Sequence, residues 1–366
     1  MSFSSPFFRR VRGAVAGLAV GLGALPSHAA WDSFIQGSFG PVVDWPLIPI
    51  HAALLPDGRL LSYGTDGQGL QGAQFIYDVW NPSQGTDSSA HLVLPNRTGV
   101  DSFCSGQVLL PGSGRLLLTG GDRTVAGVRN FAIRDVNVFD FRTNDMSSAG
   151  QPMASQRWYP GVATLASGDI LVMGGAGDAD DPTSTPEVFT EGVGWRALTG
   201  ADSDVAYGPQ NATYPRAWQA PHGKVFVLTP SGSSYELDVH GAGALSRTAL
   251  QVPEGDAYLP SVMFAPGKIL SLRRGNRAVV IDLNGFTPRA SQVGGVGQDR
   301  FHASATVMAD GRVLVTGGSK VPNSAQGVAY AARIWIRPHS CGRRRRRPPA
   351  CGCTTPSRCC CPMVAC

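Results

Sequence analysis

Cysteine is almost missing from this chain until its last stretch. Of eight cysteines in 366 residues, Cys104 alone precedes residue 341. The body of the chain therefore has no disulfide framework and no cysteine cluster of metal-binding spacing to organise it. Charge is sparse as well: Asp, Glu, Lys and Arg together make 16% of the sequence. No long amphipathic helical pattern follows residue 30. Acidic residues are absent from both ends. Residues 1–30 hold Arg9, Arg10 and Arg12, and residues 337–366 hold Arg337, Arg343 to Arg347 and Arg358, with no Asp or Glu in either. The formal net charge of +5 thus comes from two basic ends around a body of −5. A mildly acidic body excludes an extended phosphate-binding surface, and with it nucleic acid as a partner. The longest apolar run, "GAVAGLAVGLGAL" at 13–25, falls short of the ~20 residues a stable membrane span needs.

What the chain has is glycine, 46 of them, and proline, 27, and the glycines recur in a pattern. One unit shows it best: "DSFCSGQVLLPGSGRLLLTGGD" at 101–122. An apolar strand runs into a turn glycine, and a second apolar strand runs out to Gly-Gly. Aligned copies place their turn glycines at Gly58, Gly114, Gly168, Gly223, Gly267 and Gly311, at intervals of 56, 54, 55, 44 and 44 residues. Internal periods near 40–50 residues indicate propellers or arrays. Each unit reads as a hairpin. Further strands follow in "FIYDVWNP", "DVNVFDF", "AVVIDL" and "ARIWI", which predicts four-stranded blades around an axis. The Gly-Gly pairs follow strands but open no helix, so they read as turns rather than phosphate cradles. The composition of the body, about 300 residues, suits a turn-rich all-β protein.

Three segments follow. Residues 1–30 read as a signal peptide, with a basic start, the apolar run above and the small residues "SHAA" for cleavage after Ala29 or Ala30. That predicts a secreted, periplasmic or cell-surface location. Residues 31–336 read as the propeller, about six blades and the start of a seventh. Residues 337–366, rich in Cys, Arg and Pro, have no strand pattern and read as disordered. A disulfide knot, a metal-binding tract and a polybasic arm are three readings of that tail. The genetic code supplies a fourth. Translated from the third base of each codon from Cys351 onward, the tail's permitted codons can spell "R-L-Y-H-S-x-x-L-L-L-P-D-G-x-V". That is another copy of the repeat, with its turn glycine near residue 363, 52 after Gly311. The expectation is a frameshift near 336–342.

Two blade heads carry a specific pair of motifs, "FCSG" at 103–106 and "RWYP" at 157–160. With them, residues 35–335 resemble the copper radical oxidases, galactose oxidase and glyoxal oxidase, with the pair closest to the glyoxal oxidase branch. The resemblance implies a seven-bladed kelch-type propeller whose last blade is incomplete here and whose C-terminal immunoglobulin-like domain is missing. It implies a covalent thioether between Cys104 and Tyr159, with Tyr159 ligating one copper ion and holding a radical. An axial Tyr and two His ligands would complete the site. The sequence as written lacks them, and a Tyr-His pair occurs only in the shifted frame around 353–355. The implied reaction oxidises aldehydes, glyoxal-like, or primary alcohols with O2 to give H2O2, and the chain as given is expected to be inactive.

The residue chemistry agrees with that reading. Heads of neighbouring blades converge on one end of a propeller axis, so Cys104 and Tyr159 can touch. Copper tolerates mixed nitrogen and oxygen donors and accepts one electron, and a phenol can give a second. Taken alone, Cys104 reads as a buried free cysteine and Tyr159 as a core aromatic. Trp158 shields the radical or packs between blades. His302, in "RFHAS", reads as structural or as lying behind the ligands, and His51 as structural. Arg216, in "YPRAW", suits a substrate contact or a buried pair with an Asp, and Arg157 suits stabilisation of a tyrosinate. The alternative to the oxidase is a non-enzymatic kelch-type propeller that binds glycan or protein.

Overall fold

The computed structural model describes residues 39–125, 128–178 and 181–336, together with the backbone of 364–365. The predicted signal peptide and almost all of the tail lie outside these residues. The chain divides into Met1–Phe39 and Gly40–Cys366, and all that follows concerns the second unit.

Six four-stranded antiparallel sheets follow one another along the chain. Sheet 1 is β1 (Leu47–Leu54), β2 (Leu60–Asp66), β3 (Ile76–Trp80) and β4 (His91–Pro95). Sheet 2 is β5 (Gly106–Leu109), β6 (Leu116–Thr119), β9 (Val136–Asp140) and β10 (Asp145–Ser148), with the separate hairpin β7 (Asp122–Val125) and β8 (Val128–Ala132) inserted after its second strand. Sheet 3 is β11 (Gly161–Thr164), β12 (Ile170–Met173), β13 (Glu187–Thr190) and β14 (Gly194–Ala197). Sheet 4 is β15 (Arg216–Gln219), β16 (Val225–Leu228), β17 (Ser233–Asp238) and β18 (Ala244–Gln251). Sheet 5 is β19 (Ser261–Ala265), β20 (Lys268–Arg273), β21 (Arg277–Asp282) and β22 (Arg289–Val293). Sheet 6 is β23 (Ser304–Val307), β24 (Val313–Thr316), β25 (Arg333–Trp335) and β26 (Val364–Ala365). The sequence pattern anticipates neither the β7–β8 hairpin nor β26, whose backbone pairs with Arg333 and Ile334 from within the tail read as strandless.

The second strands of sheets 2, 3 and 4 are apolar almost throughout and fully buried, because neighbouring blades cover both of their faces. Leu116, Leu117 and Leu118 of β6 show the division. Leu116 and Leu118 pack with Leu61, Tyr63 and Val79 of sheet 1, whereas Leu117 packs with Ile170 and Val172 of sheet 3. The same division recurs from sheet 3 to sheet 4, from 4 to 5 and from 5 to 6. Burying strands on both faces is what makes their sequence read as unbroken apolar runs. All six turn glycines have φ between 66° and 97°, the left-handed region where a side chain is strained. The structure is thus a β-propeller of six blades. Some first-strand residues of sheet 1 stay exposed, among them Ile48, Ile50 and Leu54.

Arg157 differs from the role expected of it. It is wholly buried and donates from Nη1 to the Gly174 carbonyl at 2.7 Å and from Nη2 to Thr185 O at 2.7 Å and Glu187 Oε1 at 2.8 Å. Its charge is taken up by Glu187, and it is not among the residues that line the axial cavity. Arg157 is therefore a strut between the blade head and the Gly174–Gly175 turn, not a partner of a tyrosinate.

Candidate functional site

At one end of the axis the heads of successive blades meet around a cavity of about 820 Å³. Its wall includes His51, Cys104, Tyr159, Tyr214, Tyr258 and His302. Four of these, Cys104, Tyr159, Tyr214 and His302, have φ of 61°, 62°, 44° and 60°. Left-handed backbone is uncommon for residues with a Cβ and costs energy that the surroundings must supply. Here the surroundings are backbone hydrogen bonds between heads. Tyr159 N donates to Cys104 O at 3.0 Å, Tyr214 N to Tyr159 O at 2.8 Å, and His302 N to Tyr258 O at 2.8 Å. On the other side Trp158 exchanges both backbone bonds with Ala176, at 2.7 and 2.8 Å.

This arrangement brings Cys104 and Tyr159 together, with their side chains hydrogen-bonded. Cys104 is a buried free cysteine. Burial pushes its thiol up to about 12; the hydrogen bond to Tyr159 opposes the shift, and the carboxylates of Asp122 and Asp101 add to it. Burial, followed by the charge of a Cys104 thiolate, raises the Tyr159 phenol as well. Both groups are therefore neutral near pH 7 and hold two removable hydrogens at one place. Trp158 lies against the Tyr159 ring, centroids 4.4 Å apart and planes tilted by 46°.

His51 accepts the Cys104 N–H at its Nε2, 3.2 Å away, and stacks on Tyr63, centroids 4.8 Å apart. Burial lowers its pKa to about 4, so the imidazole is neutral, with its proton on Nδ1. His302 lies against Tyr258, ring centroids 4.3 Å apart and planes tilted by 31°. Arg216 donates from Nη2 to Ala257 O at 3.0 Å and, among the described residues, forms no ion pair with an Asp. Two further residues, Tyr214 and Tyr258, escape the sequence reading as site residues. Tyr214 meets Tyr159 edge to face at 5.1 Å, and burial raises its pKa well above the usual phenol value. The signal was present: Tyr159, Tyr214, Tyr258 and His302 follow one another at 55, 44 and 44 residues.

A resident copper ion would need several nitrogen and oxygen donors. Among the described residues no group of three or more His, Cys, Asp or Glu stands close enough to hold a metal. The cavity offers phenols and, besides the committed His51, the one imidazole of His302. The Cys104–Tyr159 pair fits the organic half of a radical cofactor. The described residues do not fit a closed copper cage, so no chemical step is routed through a metal here.

No family model matches the chain. Two curated sequences named galactose oxidase from Gibberella zeae, one from strain ATCC MYA-4620, are each 26% identical to it over 338 residues. The match covers 82% of this chain and 47% of each relative, so the chain spans about half the length of the curated relatives it matches. Among solved structures, a fungal alcohol oxidase of the AA5 family in complex with copper superposes with a TM-score of 0.67 at 22% identity, covering 82% of this chain and 65% of that one. Among the described residues no helix is long and apolar enough to cross a membrane.

Proposed function

We propose that this chain, galactose oxidase-like in sequence and in fold, carries the redox half of a copper radical oxidase site. The observation that supports this best is the contact between Cys104 and Tyr159 at the mouth of the axial cavity. Joining Cys104 Sγ to the Tyr159 ring removes the thiol hydrogen and one ring hydrogen. The two electrons and two protons pass to O2 as H2O2. Tyr159 would be the one recognised copper ligand of such a site, and nitrogen donors beyond those of the described residues would be needed to hold the ion. The overall reaction is RCH2OH + O2 giving RCHO + H2O2, or RCH(OH)2 + O2 giving RCOOH + H2O2. The protein's part is to hold the radical pair and the substrate C–H in line.

The reading extends to a seventh blade beside sheet 1, supported by the exposed Ile48, Ile50 and Leu54 of β1, and to export through the N-terminal leader. One experiment tests the core of it. The purified chain is loaded with Cu(II) in air, digested and mapped by mass spectrometry, and peroxide is assayed with glyoxal, methylglyoxal and galactose. The expected product is a linked Cys104–Tyr159 peptide pair lighter by two hydrogens, absent from Cys104→Ala. A free Cys104 thiol after prolonged aerobic loading refutes the cofactor, and a chain that binds glycans without copper is the binding propeller instead.

A further inference from the structure

Four residues on the cavity wall, Cys104, Tyr159, Tyr214 and His302, hold left-handed backbone, and each gives its N–H to the preceding blade. For Tyr159, Tyr214 and His302 the acceptor is a main-chain carbonyl, which no substitution removes. For Cys104 it is a side chain, Nε2 of His51, at 3.2 Å. Cys104 is thus the one of these four whose backbone is held by a replaceable group. Left-handed backbone costs a residue with a Cβ energy. Losing the contact therefore releases Cys104 toward ordinary backbone and turns its thiol away from Tyr159. His51 is itself held in place. A bulge in β1 between Ile48 and His51 re-aims the side chain. The imidazole lies nearly parallel to the Tyr63 ring, centroids 4.8 Å apart and planes at 13°. The Tyr63 hydroxyl donates to Gln107 Oε1 and shares a bond with Ser105 Oγ, each at 3.1 Å, on the segment that carries Cys104. Burial keeps the imidazole neutral, so Nε2 offers a lone pair.

We infer that His51 is a positioning residue: by accepting the Cys104 N–H it holds the thiol against the Tyr159 ring for the step that joins the two. This rests on the oxidase reading above for the joining step, but not for the placement of the thiol. In that step the S–H bond and one ring C–H bond break, the Sγ–C bond forms, and O2 takes the two electrons and two protons as H2O2. His51 touches none of the reacting atoms. It acts through the Cys104 backbone, by keeping sulfur and ring in a reactive arrangement.

The test separates the acceptor from the ring. His51→Phe keeps a ring over Tyr63 and removes the acceptor; His51→Gln keeps an acceptor near the place of Nε2 and removes the ring. In the metal-free full chain, amide exchange of Cys104 and its alkylation by iodoacetamide are measured, with circular dichroism to confirm the fold. In a second arm the same proteins are loaded with Cu(II) in air, and the linked Cys104–Tyr159 peptide is followed in time by mass spectrometry. His51→Phe should exchange and alkylate about tenfold faster and form the link about tenfold more slowly, the scale of one buried donor left without an acceptor. His51→Gln should stay close to the unmodified chain. A residue that merely fills space gives the opposite order, with Phe the milder change, and that order overturns the inference. A Cys104 amide that exchanges in the unmodified chain as fast as an unbonded one overturns it without recourse to any variant. The two proposals fail separately. A link that forms as fast in His51→Phe as in the unmodified chain removes the positioning role and leaves the oxidase reading standing. No link in the unmodified chain removes that reading, and exchange and alkylation then decide on their own whether His51 places the thiol.

Discussion

Removing the carboxylate of Glu187 tests whether the strut beneath Tyr159 is as tightly coupled as it looks. Glu187 is 1% exposed and Arg157 0% at their side chains, 2.8 Å apart. Glu187 also accepts from Ala154 N at 2.7 Å and Ser155 N at 3.4 Å. Glu187→Ala therefore strands a buried cation and two backbone donors. Breaking a buried pair from one side costs ~3–5 kcal/mol, because the remaining charge stays in a medium that solvates it poorly. At the ~2–4 °C per kcal/mol typical of large domains, that is roughly 6–20 °C in Tm. Arg157→Met combined with Glu187→Leu removes both charges and should be less destabilising than Glu187→Ala alone. Glu187→Gln, which keeps an acceptor, should fall between. Thermal and urea unfolding followed by circular dichroism measure all three. The reasoning is refuted if Glu187→Ala costs less than ~1 kcal/mol, or if the double variant is the worst of the set.

Three further outcomes follow from the geometry. His51, with its pKa lowered to about 4 from 6.5, favours the folded state fully above pH 6.5, and that contribution is lost as pH falls through 4. His51→Gln should show a shallower loss of Tm between pH 7 and 4 than the unmodified protein, and equal slopes would exclude His51 as the source. Cys104, pushed up to about 12, should react with iodoacetamide at pH 8 far more slowly in the native state than in urea. Because the unfolded thiol ionises first, its contribution to stability should fall as pH rises from about 9 to about 12; a native thiol that alkylates as fast as the unfolded one contradicts the burial. Gly168→Ala meets nothing within 4 Å, whereas the Cβ of Gly120→Ala would lie 2.2 Å from Arg157 O. The first should cost about 1 kcal/mol in urea unfolding and the second several times that, and similar costs would mean that the Gly120 turn relaxes freely.

The blades were legible because the second strands of the middle sheets are buried on both faces, which leaves apolar runs and a turn glycine every 44 to 56 residues. Cys104 and Tyr159 were legible for the same reason: 55 residues apart, they hold equivalent places in adjacent copies. Tyr214 and Tyr258 hold the next places. A tyrosine before a strand reads as packing, and only the left-handed φ of Tyr214 and the shared cavity set them apart. The true partner of Arg157 was hidden because Glu187 lies 30 residues away on another strand, a pairing that no local pattern encodes. Arg216 was ambiguous because a blade-head arginine suits either a wall position or a buried pair, and only the folded chain shows it on the cavity wall with its donation to Ala257 O.

The backbone bonds from Tyr159 to Cys104 and from Tyr214 to Tyr159 make the site a property of how blades stack rather than of any single loop. The separation of thiol and phenol is set by the pitch between sheets 2 and 3, which the packing of Leu117 against Ile170 and Val172 fixes. Substitutions there, far from any substrate, should alter reactivity before they alter folding. The outer strands touch neither the axis nor the heads and bear on the site only through core contacts such as Met146 of β10.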